Sequence, residues 1–80
     1  MKVVTVYTKE GCHLCDRVRS RLKELQAENR FDLREIELTE GNALFDQYRE
    51  RIPVITIDGE FAFEYVLPER EFLRRLKADG

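Results

Sequence analysis

The stretch Val3-Val4-Thr5-Val6-Tyr7-Thr8-Lys9-Glu10-Gly11-Cys12-His13-Leu14-Cys15 decides how the rest of the chain is read. Val3 to Thr8 is a run of β-branched and aromatic side chains, the composition of a strand buried on both faces. Beyond Gly11, apolar residues recur at Leu14, Val18, Leu22 and Leu25, the spacing of one helix face. A strand therefore hands over to a helix at a pair of closely spaced cysteines. At a helix N-terminus the first amides lack intrahelical partners and carry the positive end of the dipole, so thiolate is favoured over thiol at Cys12. Cys15 stands beside Leu14, one turn before Val18, and is predicted to point inward. One sulfur is expected in water, with the other behind it.

Working outward, the helix is predicted from about Leu14 to Glu28, with Asn29 as its C′ residue. Arg17, Arg19, Arg21 and Lys23 surround its apolar stripe, and Arg19 lies two turns from Cys12 with Asp16 between them. These charges read either as a solvated face or as a positive rim for anionic thiols and acidic peptides. Phe31 to Leu38 reads as a second strand with a phase conflict: Phe31 and Leu33 share one face, Ile36 and Leu38 the other. A bulge, or an edge strand half exposed to water, would accommodate it. Strand, helix and strand at this spacing fit a right-handed βαβ unit.

Thr39-Glu40-Gly41-Asn42 carries turn chemistry, and a short helix follows with Leu44, Phe45 and Tyr48 on one side. After Arg49-Glu50-Arg51, a strand Ile52-Pro53-Val54-Ile55-Thr56-Ile57 opens with proline, where a missing amide is tolerated. Asp58-Gly59 is a two-residue hairpin signal, and Glu60 to Tyr65 alternates Phe61 and Phe63 with smaller or charged residues, so these two strands are predicted antiparallel. Pro68 suits the first turn of a last helix. Glu69 and Glu71 stand near its start, Arg74, Arg75 and Lys77 near its end, and Phe72, Leu73 and Leu76 on its inner face. The order is β-α-β-α-β-β-α in one domain, residues 1–80.

Eighty residues lie near the lower limit for a self-sufficient core; 42% apolar and 38% charged residues support a small core inside a charged shell rather than disorder. A net charge of −2 offers no field for nucleic acid, and the scattered aromatics, without tryptophan, form no stacking platform. No apolar run reaches the length of a membrane span. Met1-Lys2 leads straight into the first strand, which leaves no room for a signal peptide, so a cytoplasmic location is expected. A disulfide closing so short a loop stabilises a fold by at most about 2 kcal/mol. The pair is therefore read as catalytic or metal-binding rather than structural.

Three segments together carry a family resemblance. They are Tyr7-Thr8-Lys9-Glu10-Gly11-Cys12-His13-Leu14-Cys15-Asp16, then Tyr48 through Arg51-Ile52-Pro53-Val54, then Asp58-Gly59. With them the chain resembles the thioredoxin fold and, within it, the short glutaredoxin-like proteins. The resemblance implies an α/β three-layer architecture with a four-stranded mixed sheet of order 2-1-3-4. The first and third helices would cover one face and the second helix the other. It also implies a cis Ile52–Pro53 bond beside the cysteines and a backbone at Ile52 that receives an extended substrate by strand addition. Lys9 matches a position that contacts the glutathione carboxylate in true glutaredoxins. The chain departs from them in two places. Glu64-Tyr65-Val66-Leu67-Pro68 replaces the usual Gly-Gly and following Asp, and His13-Leu14 replaces the Pro-Tyr of many members. These departures bring in a protein thiol or another dithiol as reductant beside glutathione.

The activity expected is thiol–disulfide exchange, with Cys12 as nucleophile, Cys15 as resolving thiol, and the two forming the redox disulfide. A protonated His13 imidazole would favour the Cys12 thiolate, whose free value is about 8.5; an uncoupled, exposed His13 is the plain alternative. Tyr7, Tyr48 and Tyr65 read as core or rim packing, and Asp16 as a first-turn acid. No resident cofactor or metal is expected, with glutathione a candidate co-substrate. A disulfide-bearing protein or small thiol is the expected substrate, and the chain is expected to be a monomer. Two other classes compete. One is a metal or iron–sulfur module that completes its ligands through Cys12 in a dimer or with glutathione. The other is a peptide-binding adaptor with idle cysteines.

Overall fold

The computed structural model describes residues 1–78. Along the chain run β1 (Val3–Thr8), α1 (His13–Glu28), β2 (Asp32–Glu37), α2 (Ala43–Tyr48), β3 (Val54–Ile57), β4 (Glu60–Glu64) and α3 (Glu69–Lys77). One mixed sheet has the order β2-β1-β3-β4, with β1 parallel to β2 and antiparallel to β3, and β3 antiparallel to β4. This is the topology that the resemblance implied.

β1 is interior, and its β-branched run suits burial on both faces. Val4 and Val6 enter an apolar cluster with Val18, Leu22 and Leu25 of α1, Phe31, Ile55 of β3 and Phe72 of α3. Leu33, Phe63, Leu73 and Leu76 close around that cluster. Phe31 and Phe72 meet edge-on with ring centroids 5.6 Å apart. Side chains alternate across a strand, so Tyr7 points the other way, where it packs with Leu44, Phe45 and Tyr48 of α2. Helices therefore lie on both faces, α1 and α3 together and α2 apart.

The phase conflict in β2 is resolved by exposure. The β1–β2 register runs without a break from Val3↔Asp32 to Thr8↔Glu37. Ile36 is left 38% exposed on this edge strand. Phe31 and Leu38 lie just outside the strand and enter different clusters.

The bulge falls in β4 instead. Ile55 pairs with Phe63 and Thr56 with Phe61, so Ala62 is the extra residue. Partners opposite each other share a face, and the bulge therefore parts two phenylalanines that strict alternation would keep together. Phe63 joins the core under the Arg75 guanidinium, whereas Phe61 is 42% exposed with Arg51 4.6 Å above its ring. At the other end of the hairpin, Asp58 (φ 51°) and Gly59 (φ 84°) make the positive-φ pair of a two-residue turn. The Asp58 carboxylate accepts from the Val3 N–H at 2.8 Å, which ties the turn to the start of β1.

Two helix boundaries differ from expectation. Asn29 is the C-cap itself, in extended backbone (φ −136°), and both its N–H and its Nδ2 donate to the Leu25 carbonyl. Pro68 is the N-cap of α3, one position before the first turn. α1 and α3 are joined by a two-pronged pair in which Arg21 donates to Glu69 at 2.9 and 2.8 Å. That hydrogen bonding lowers the Glu69 carboxyl from its usual range.

Candidate functional site

Gly11, at φ 77°, turns the chain from β1 into α1 in a conformation that favours glycine. Cys12 then serves as the N-cap of α1, in extended backbone, where Ser, Thr, Asp or Asn is usual. Its Sγ accepts the Cys15 N–H at 3.1 Å, taking the role of a capping oxygen. The two cysteines are joined as a disulfide with Cα atoms 5.2 Å apart, inside the range such a bond requires.

The sulfurs differ in environment, as the sequence pattern predicted. Cys12 is half-buried, whereas Cys15 is 1% exposed against Leu38 and Ile52. Tyr7, Leu44, Phe45 and Tyr48 complete this small cluster, with the Tyr7 and Tyr48 rings 5.4 Å apart. Ile52–Pro53 is a cis peptide, and both residues are buried. Because Tyr7 pairs with Val54, the Ile-Pro turn stands beside the end of β1 that leads to Gly11. Residues some forty positions apart thus converge on one spot: Cys12, Cys15, Ile52 and, next to it, Pro53.

The remaining candidates lie around this centre. His13 is exposed as the first residue of α1, and neighbouring Leu14 is 46% exposed. Lys9 is exposed and donates from Nζ to the Arg49 carbonyl at 3.3 Å, bridging the β1 exit to the end of α2. It lines a cleft of about 300 Å³ with Glu10, Glu37, Leu38, Thr39, Glu40 and Phe45. Of the four cations expected to make a positive rim, Arg19, Arg21 and Lys23 are paired with carboxylates, and Arg17 is exposed. Arg19 pairs with Asp16 at 2.6 Å and reaches Glu35 of β2 at 3.8 Å, Lys23 also reaches Glu35, and Arg21 is held by Glu24 and Glu69. These charges make the solvated, paired face. Among the described residues, no group of three or more His, Cys, Asp or Glu side chains is placed to hold a metal ion, and no helix is long and apolar enough to cross a membrane.

The sequence pattern marks Tyr65 only as packing, yet it meets the Ile-Pro turn through its backbone. Its N–H donates to the Pro53 carbonyl at 2.9 Å, and its hydroxyl donates to the Glu50 carbonyl. Nothing short-range signals this role, because the partners lie more than ten residues away.

A Cys-x-x-Cys at the start of the first helix, set beside a cis proline on a sheet of this order, defines a protein of the thioredoxin fold. More narrowly, the chain belongs to the glutaredoxin-like domain family (DUF836), whose profile matches residues 3–78. Uncharacterized proteins of Mycobacterium bovis and Mycobacterium tuberculosis are 33% identical to it, over 95% of this chain and 79% of theirs. Among solved structures, the solution structure of protein Ne2328 from Nitrosomonas europaea matches with a TM-score of 0.82 and 28% identity, over 95% of this chain and 92% of that one. A mutant thioredoxin from Halobacterium salinarum matches with a TM-score of 0.64 and 24% identity, over 94% and 70% of the two chains, a likeness of fold alone.

Proposed function

We propose that this protein is a thiol–disulfide oxidoreductase. The observation that carries the reading is the asymmetry of the sulfur pair: Cys12 is partly open to water with a helix-start amide pointing at its Sγ, while Cys15 is buried at bonding distance behind it. An amide donor and the helix dipole stabilise negative charge on the Cys12 sulfur, which makes that sulfur both the better nucleophile near neutral pH and the better leaving group.

In the reductive direction the reduced Cys12 thiolate attacks one sulfur of a substrate disulfide. A mixed disulfide forms and the first substrate thiolate departs. Cys15 then gives up its proton and attacks the Cys12 Sγ, which restores the Cys12–Cys15 disulfide and releases the second substrate thiolate. Two electrons reach the substrate, and its two thiolates take up one proton from Cys15 and one from water. The dithiol is regenerated by an external dithiol protein or by glutathione, so no resident cofactor is required. His13, adjacent to Cys12, modulates the thiolate, and Lys9 gives the rim a cation for an anionic group. An extended substrate backbone lies against Ile52, in the manner of an added strand. With only two cysteines in the chain, both in this pair, we place the reaction in a reducing compartment.

Trapping tests the reading. Cys15→Ser, incubated with a disulfide-containing peptide, is expected to accumulate a mixed disulfide at Cys12 visible as a mass adduct, while Cys12→Ser accumulates none. Adducts on the Cys12→Ser variant would reverse the two roles, and no adduct on either would end the oxidoreductase reading.

A further inference from the structure

The chain leaves β4 through a turn its sequence does not favour. Tyr65 has φ 68°, in the left-handed region, and the Val66 N–H donates across it to the Glu64 carbonyl at 2.8 Å. That combination is a γ-turn of the rare positive-φ kind. A bulky residue stays in such a backbone only where its surroundings over-determine it, and such places cluster at working sites.

Here the surroundings are Glu50–Pro53. The Tyr65 N–H donates to the Pro53 carbonyl at 2.9 Å, and its hydroxyl reaches the Glu50 carbonyl. Next to it, Glu64 accepts from Arg51 Nε at 2.6 Å, and the Arg51 guanidinium covers Phe61. Tyr65 therefore grips the carbonyls two residues before and one residue after Ile52, and leaves the peptide groups of Ile52 untouched. Ile52 is also the residue whose side chain packs on Cys15.

We propose that Tyr65 is a positioning residue for substrate. By fixing the path of Glu50–Pro53, it presents the Ile52 N–H and C=O to the backbone of an extended polypeptide disulfide, at the height of Cys12. This role rests on the disulfide exchange proposed above. It acts on docking and leaves the sulfur chemistry alone, and it discriminates by substrate: a polypeptide has a backbone to pair with Ile52, a small disulfide has none.

The test compares Tyr65→Phe, which loses only the hydroxyl, with the parent protein on a disulfide-bonded peptide and on bis(2-hydroxyethyl) disulfide. For the peptide, KM is expected to rise roughly 3- to 10-fold, the factor one ordinary hydrogen bond supplies, with kcat within about twofold. For the small disulfide, and for the pH profile of Cys12 alkylation, no change is expected. Tyr65→Gly removes the phenol and also relieves the left-handed backbone. It is expected to melt no lower than Tyr65→Phe while showing the same rise in peptide KM, which separates docking from stability and serves in its place if Tyr65→Phe does not fold. An unchanged peptide KM in either variant, an equal rise on both substrates, or a shifted alkylation profile would overturn the role. A parent protein that turns over neither substrate and traps no adduct through Cys15→Ser removes the redox reading and this role with it. Parent turnover with variants indistinguishable from it removes this role alone.

Discussion

Two apolar clusters divide the molecule between them, and they are unlike in make-up. The larger one, between the sheet and α1 and α3, is hydrocarbon throughout, with Val4, Val6, Leu22, Ile55 and Phe72 showing no exposed surface. The smaller one, at the C-terminal end of β1, has only Cys15, Leu38 and Ile52 fully inside, and its rim of Tyr7, Cys12, Leu44, Phe45 and Tyr48 is partly wet. Burying a large apolar side chain contributes about 1.5–3 kcal/mol. The first cluster therefore holds the chain together, and the second holds a sulfur pair in place at little cost to the whole. The main core and the sulfur pair sit in separate parts of one small sheet.

The sharpest way to break this division is Cys12→Ser. It is expected to abolish turnover of a disulfide substrate, yet to melt within a degree or two of the reduced parent, as measured by circular dichroism. A large loss of stability would mean that the small cluster is structural after all. Phe72→Ala is the mirror experiment. Emptying this fully buried site is expected to cost about 3–5 kcal/mol in urea unfolding, while the fraction that remains folded keeps its Cys12 alkylation rate. A third measurement compares the oxidised and reduced parent in urea. The four-residue loop limits the difference to about 2 kcal/mol, and a larger gap would show that the disulfide organises the core. His13→Ala is expected to raise the pH at which Cys12 becomes alkylated and to lower the reduction potential of the pair. An unchanged alkylation profile would assign His13 to the solvated face.

The smallest effect concerns the link between α1 and α3. The Arg21 hydrogen bonds hold Glu69 below its usual carboxylate range. Its contribution is thus fully present above the unfolded value of about 4.3 and fades as pH falls through the lower folded value. Thermal melts from pH 6 to pH 2 are expected to decline more steeply for the parent than for Glu69→Gln. Parallel curves would show the pair to be idle, the common fate of exposed ion pairs.

What the sequence displayed were features set by neighbours in the chain. The β-branched run of β1, the cysteines at a helix start, the Asp58-Gly59 turn and the helix stripes each depend on spacings of a few residues, and each stands where it was expected except Leu14, which is 46% exposed and leaves Cys15 to begin the buried stripe of α1. The cis Ile52–Pro53 bond came with the family resemblance. What stayed hidden depends on partners far along the chain. Asp16, the nearer partner of Arg19, is local, but the Glu35 carboxylate that Arg19 and Lys23 also reach is brought to α1 only by β2. The bulge at Ala62 parts Phe61 from Phe63 because Ile55 and Thr56 demand different faces. The left-handed turn at Tyr65 is held from Glu50 and Pro53, and no local residue preference announces it.

The amide that bonds the Cys12 sulfur has a consequence for how the protein can be watched. That N–H, on Cys15, has the sulfur as its acceptor, so its exchange with deuterated solvent is tied to what is attached there. A bulky adduct on Cys12 that turns the sulfur away leaves the Cys15 amide without its acceptor, and its isotope uptake quickens. One backbone hydrogen thus serves as a built-in gauge of the sulfur's chemical state, with no dye or label on the protein.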